Sequence, residues 1–127
     1  MARPSKYSPE LRERAVRMVR EHSAEHASQW AAIVAIAAKI GCTAQTLSNW
    51  IKQAERDEIN ARIAQLTARE REVFEAVAGG DSNKVAAQKL GISPRTVEIY
   101  RANVMEKMRA RTLSDLVRMA LQRREGT

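Results

Sequence analysis

The serine-proline pair at 93–94 constrains the fold more than any other feature, because it fixes where a helix begins. Serine suits the position just before a first helical turn, where its hydroxyl accepts an orphan backbone N–H. Pro94 has no N–H and loses nothing at the first helical position. Behind it Val97, Arg101, Val104 and Met108 recur at helical spacing, which predicts a helix to Met108 with one inward stripe. Ser82 to Gly91 reads as a shorter helix stopped by glycine. Two helices meeting at so short a turn outline a helix-turn-helix, with the second helix free to enter a DNA groove.

The rest of the chain is also helical in pattern. Ser8-Pro9-Glu10 starts a helix to about His22, with Leu11, Ala15, Met18 and Val19 on one face, behind a short basic arm from Met1 to Tyr7. A polar turn, Ser23 to Ser28, leads to a helix over Gln29–Ile40, with Trp30, Ile33, Val34, Ala37 and Ile40 expected inward. Gly41 and Cys42 turn the chain, and Thr43 caps a third helix with Leu47, Trp50 and Ile51 inward. That helix is expected through Lys52, and the charged stretch from Gln53 to Gln65, with no Gly or Pro, reads as a helical connector between two small cores, either separate from it or continuous with it. Thr67 and Glu70 form a capping box for a helix that buries Val73, Phe74 and Val77 and ends at Gly79-Gly80. Val85, Ala86 and Leu90 are expected inward on the next helix, and a last helix starts at Thr112. The fold class expected is all-α: two small helix-turn-helix domains, 1–53 and 66–127, joined by the connector 54–65. The two turn signals lie about 50 residues apart but share no usable sequence identity, so they read as unrelated modules and not as a duplication.

Charge narrows the partner. The net charge is +7, and it is carried by both halves: nine basic and five acidic residues to position 56, thirteen and ten after it. A polyanion is the natural partner, with a membrane surface the alternative on charge alone. No apolar run approaches the roughly 18 residues of a spanning helix, so no membrane segment is expected. Cys42 is the one cysteine, which excludes an internal disulfide and suits a cytoplasmic protein. His22 and His26 lie four apart but lack a third ligand, so neither metal nor cofactor is expected. Cys42 reads as a small residue filling a turn. With no phosphate loop, nucleophile elbow or carboxylate pair, the chain is not expected to be an enzyme.

Double-stranded DNA is where the residues converge. With Val97 and Val104 inward, Arg95, Glu98, Ile99, Ala102 and Glu106 fall on the far face of the helix, flanked by Thr96 and Asn103. Glu98 suits a cytosine amino group, and Ile99 and Ala102 suit thymine methyls. Lys84, Arg95, Thr96 and Lys107 are placed for phosphates, while Arg101 must snorkel out from the inward stripe to reach DNA. In the first module Gln45, Ser48, Asn49 and Lys52 point outward, the amides suited to adenine and the lysine to phosphate. A solvated polar face, or a protein-binding one in the first module, is the plainer alternative.

Residues 66–121 resemble the LuxR-type (GerE) helix-turn-helix, nearest to FixJ-like response regulators, through LTAREREV, the SNK…LGIS segment and SPRTVEIYRANVMEKM. The resemblance implies four helices, groove reading by Pro94 to Met108, and DNA contacts at Lys84, Thr96, Glu98, Ile99, Arg101 and Ala102. It also implies a homodimer through the last helix, at Leu113, Leu116, Val117, Ala120 and Leu121. Tyr100 stands where the family commonly has His, and no receiver domain precedes the module, so no phosphorylation switch is expected. Residues 3–56 look like the N-terminal helix-turn-helix of OrfA-type insertion-sequence transposases, through SPELRERAVRMV, QWAAI and TLSNWIKQ. The leucine zipper usual after it is not evident, and neither is a catalytic domain. Together these imply a cytoplasmic transcription factor with two DNA readers, binding inverted-repeat or composite sites, with RNA polymerase a further expected partner. The alternatives are an accessory or inhibitor of transposition that binds element ends, and an antagonist that pairs with a related regulator without binding DNA.

Overall fold

Hydroxyl caps set where the helices begin. Ser8, Ser28, Ser82 and Ser93 each accept the backbone N–H three residues on, at 3.1–3.2 Å. A computed structural model describes residues 7–125; Met1 to Lys6, most of the expected basic arm, lie outside the described residues. The described chain forms α1 (Pro9–His22), α2 (Gln29–Ile40), α3 (Ala44–Ala64), α4 (Ala68–Ala78), α5 (Asn83–Leu90), α6 (Pro94–Met108) and α7 (Leu113–Glu125), with a short 3-10 turn at Ser23–Glu25. It contains no strand among the described residues, so the fold is all-α. None of these helices is long and apolar enough to cross a membrane.

The chain divides into two units, Met1–Glu55 and Arg56–Thr127, and the division falls inside α3. In the first unit the core is Ala15, Val16 and Val19 of α1, Ala32, Ile33, Ile36 and Ala37 of α2, and Leu47 and Ile51 of α3. Two expectations fail here. Trp30 and Val34 are 53% and 46% exposed. The alanines at 32 and 37 let the helices approach closely, and in that phase Trp30 and Val34 face away. Trp50, expected inward, is only partly buried and meets the Tyr7 ring edge-on at 5.2 Å. The Tyr7 hydroxyl donates to the Gly41 carbonyl at 3.3 Å, fastening the start of α1 to the α2–α3 turn.

The second unit is built on α4 and α6. Val73, Phe74 and Val77 of α4 pack with Val97, Val104 and Met108 of α6, closed by Ala86 and Ala87 of α5 and by Leu116, Met119 and Ala120 of α7. Ile59 and Ile63 of α3, from the stretch expected to be a connector, are 4% and 8% exposed and belong to this core. Arg62 donates to the Met108 carbonyl and Arg71 to the Ile63 carbonyl, tying the end of α3 in place. The expected capping box is formed: Glu70 N donates to Thr67 Oγ1 and Thr67 N to Glu70 Oε1. Arg123 of α7 pairs with Glu75 of α4 and lies over the Phe74 ring, 5.6 Å from its centroid. Val85, expected inward, is 39% exposed. Ala86, Ala87 and Leu90 set the phase of α5, and Val85 lies roughly 150° from their mean direction at 100° per residue.

Candidate nucleic-acid interface

The two helix-turn-helix segments make the same turn, residue for residue, at a constant offset of 50. Gly41 and Gly91 both adopt the left-handed conformation, φ 90° and 69°, where a side chain would be strained. The next residues, Cys42 and Ile92, donate to the carbonyls of Ala37 and Ala87, each at 3.1 Å. Thr43 and Ser93 then cap α3 and α6, accepting from Thr46 N and Thr96 N at 3.1 Å. Each cap hydroxyl also lies 2.8 Å from the hydroxyl of that same threonine. Leu47 and Val97 are both fully buried one position later. The identities along this register are few, chiefly Ala, Lys, Gly and Thr at 37/87, 39/89, 41/91 and 46/96. The equivalence lies in hydrogen bonds and burial, which is why comparing the two sequences does not show it.

This register lets the exposed faces of α3 and α6 be compared directly. On α6, Arg95, Glu98, Ile99 and Ala102 are exposed, with Ile99 at 57%. Lys84 is exposed at the start of α5. Thr96 and Asn103 are half-buried at the flank. On α3, Gln45, Asn49 and Lys52 are exposed and Ser48 is half-buried. A large apolar residue 57% exposed at the centre of a charged helix face has no packing role in the unit itself. It suits contact with a base methyl.

Arg101 and Lys107 of α6 are already engaged. Arg101 Nη1 donates to Asn83 Oδ1 at 3.1 Å, linking α6 to the first residue of α5, so its head does not snorkel freely outward. Lys107 Nζ lies 2.7 Å from Glu70 Oε1, and Glu70 is only 4% exposed. Lys107 thus joins α6 to α4 through one of the three N–H donors of its ammonium, and this bond does not bar a phosphate from the others. On α7, Leu116 and Ala120 are 0% and 6% exposed and part of the core. They offer no surface to a partner. Leu113 and Leu121 are 41% and 55% exposed, and Val117 is intermediate. Asp115 anchors the start of α7: its carboxylate accepts from the backbone of Arg111 and Thr112, and these bonds hold its carboxyl below the usual range. His22 Nδ1 lies 3.2 Å from Glu25 Oε2.

Val34 and Val85 escaped the reading of the sequence as surface residues. Val34 stands at the register position of Lys84, and Val85 beside Lys84. Counting Ala32 and Ala87 as core formers beside Ala37 and Ala86 would have set the phase of both helices correctly.

Residues 64–120 match the family of bacterial regulatory proteins, luxR family, and residues 1–78 match the Transposase family. The Transcriptional regulatory protein FixJ of Azorhizobium caulinodans is 50% identical over 91 residues, 72% of this chain and 42% of that protein. Ninety-one of 127 positions must include 37–91, and hence all of α3. The Insertion element IS629 12 kDa protein of Shigella sonnei is 54% identical over 57 residues, 45% of this chain and 53% of that one. The crystal structure of full-length FixJ from B. japonicum aligns with a TM-score of 0.55 and 31% identity, covering 87% of this chain and 69% of that one. The chain thus spans less than half the length of the FixJ sequence it matches. Residues 64–78 fall in both family matches, but Leu66, Val73, Phe74 and Val77 place them physically in the second core. Residues 64–120 match the luxR family of bacterial regulatory proteins, and the chain belongs to the Transposase family through residues 1–78.

Proposed function

We propose that the protein is a sequence-specific double-stranded DNA-binding transcriptional regulator that acts in the cytoplasm and is not an enzyme. The observation that carries this reading is the pair of in-register turns, each presenting an exposed polar helix face, in a chain of net charge +7. Glu98, Ile99 and Ala102 read bases in the second unit, while Lys84 and Arg95 hold the phosphates. Arg101 acts on α5 through Asn83 and positions Lys84. Once one unit is bound, the other meets its site at raised effective concentration, so composite sites are favoured over halves. Leu113, Val117 and Leu121 form the contact of a homodimer through α7, which would double the site into an inverted repeat. RNA polymerase is a further partner by family resemblance.

Selection of bound duplexes from a random library, followed by titration across salt, tests this. Enrichment of a defined motif with a steep salt dependence is expected; no enriched sequence overturns the proposal. Alanine at Glu98 or Ile99 should relax preference at particular positions. Lys84→Ala should weaken all sequences alike and lower the salt slope by about one unit.

A second reading is favoured by the Transposase match over 1–78: an accessory protein that occupies insertion-element ends. Footprinting separates the two. Protection confined to inverted terminal repeats supports the accessory, and protection upstream of unrelated genes supports the regulator.

A further inference from the structure

We infer that Asn49 reads an adenine in the major groove for the first unit, and that Gln45 holds the Asn49 amide in place while it does so. This rests on the DNA-binding reading above and adds the base that the first unit asks for. Gln45 and Asn49 lie one turn apart on the exposed face of α3, in the register of Arg95 and Ile99 on α6. Both fall in the first two turns of the helix, the part that reaches base edges when a helix enters the groove. Gln45 Nε2 donates to Asn49 Oδ1 at 2.9 Å.

A primary amide has nearly the same shape with its oxygen and nitrogen exchanged. The pair can therefore bond with Gln45 donating to Asn49 Oδ1, as here, or with Gln45 Oε1 accepting from Asn49 Nδ2. Either way the bond holds the Asn49 amide in place and uses one of its hydrogen-bonding sites, leaving Asn49 one acceptor next to one donor. Adenine offers the complement, an N6 amino donor beside the N7 acceptor. Guanine offers two acceptors, O6 and N7, and would set O6 against Oδ1. Thymine offers an acceptor beside a methyl, and cytosine a lone amino donor. Only adenine satisfies both atoms. Ile99, at the same position of the second unit, has no hydrogen-bonding atom, so the two units ask for different bases at equivalent positions.

The test uses the full chain and a random duplex library, with Asn49→Ala, Asn49→Asp and Gln45→Ala beside the unaltered protein. Both positions are solvent-facing, and alanine is the stronger helix former, so helix content by circular dichroism should not fall in the alanine variants. The unaltered chain is expected to enrich a motif with an adenine column that Asn49→Ala and Asn49→Asp erase while the other columns stay. Gln45→Ala should flatten the same column toward adenine or guanine. Replacing that adenine with 7-deazaadenine should weaken the unaltered protein about tenfold and leave Asn49→Ala unchanged. An adenine column untouched by Asn49→Ala, or equal affinity for the 7-deaza duplex, overturns the inference and leaves DNA binding standing if Glu98 and Ile99 still shape other columns. A chain that enriches nothing overturns both.

Discussion

Glu70 serves two structures with one carboxylate. Oε1 accepts from Thr67 N at 2.9 Å, closing the cap of α4, and from Lys107 Nζ at 2.7 Å, joining α4 to α6. The Lys107 bond first, and the backbone bond second, hold its carboxyl below the ordinary value of 4.5. A depressed folded-state pKa means stability that is full above the unfolded value and lost as pH falls through the folded one. Denaturant midpoints are therefore expected to be flat above about pH 5 and to drop below the unfolded carboxylate range. Lys107→Met should lower stability by about 1–3 kcal/mol at neutral pH and flatten part of that acid limb. The Thr67–Glu70 box was legible because both partners lie within one turn. Lys107 was not, since its partner is 37 residues away and an exposed-looking lysine on a basic helix suggests phosphate. The exposed faces carrying Gln45, Asn49, Glu98 and Ile99 were legible for the opposite reason: Leu47 and Val97 fix the phase locally.

At the scale of single helices, size misleads and phase does not. Trp30, Val34 and Val85 were expected inward because they are large and apolar, yet alanines occupy the close contacts on α2 and α5. α7 divides the same way, with Leu116, Met119 and Ala120 inward and Leu113 and Leu121 outward. Two kinds of substitution should therefore separate. Leu116→Ala is expected to cost about 2–5 kcal/mol of stability, measured by chemical denaturation. Leu113→Glu with Leu121→Glu should leave that stability within about 0.5 kcal/mol. Sedimentation should show the double variant as a monomer where the unaltered chain dimerises. A dimer that survives the double change would remove α7 as its interface.

For the molecule as a whole, the decisive element is α3. Its first half carries Leu47 and Ile51 of one core, and its second half carries Ile59 and Ile63 of the other. The charged composition of 54–65 predicted a helix correctly but hid its allegiance, because two isoleucines among charges look like an isolated linker. The luxR-family match begins at residue 64, after both. The limits of resemblance and the limits of an independently folding piece are thus different lines. A fragment of residues 56–127 retains every buried residue of the second core, whereas one of residues 66–127 leaves a trough where Ile59 and Ile63 lay. Each missing isoleucine is worth about 2–5 kcal/mol, against a total of about 5–15 kcal/mol for a small domain. Thermal melts should show a cooperative transition for the longer fragment and little or none for the shorter. Any separation of the two units, by a protease or in the laboratory, has to spare the last two turns of that helix.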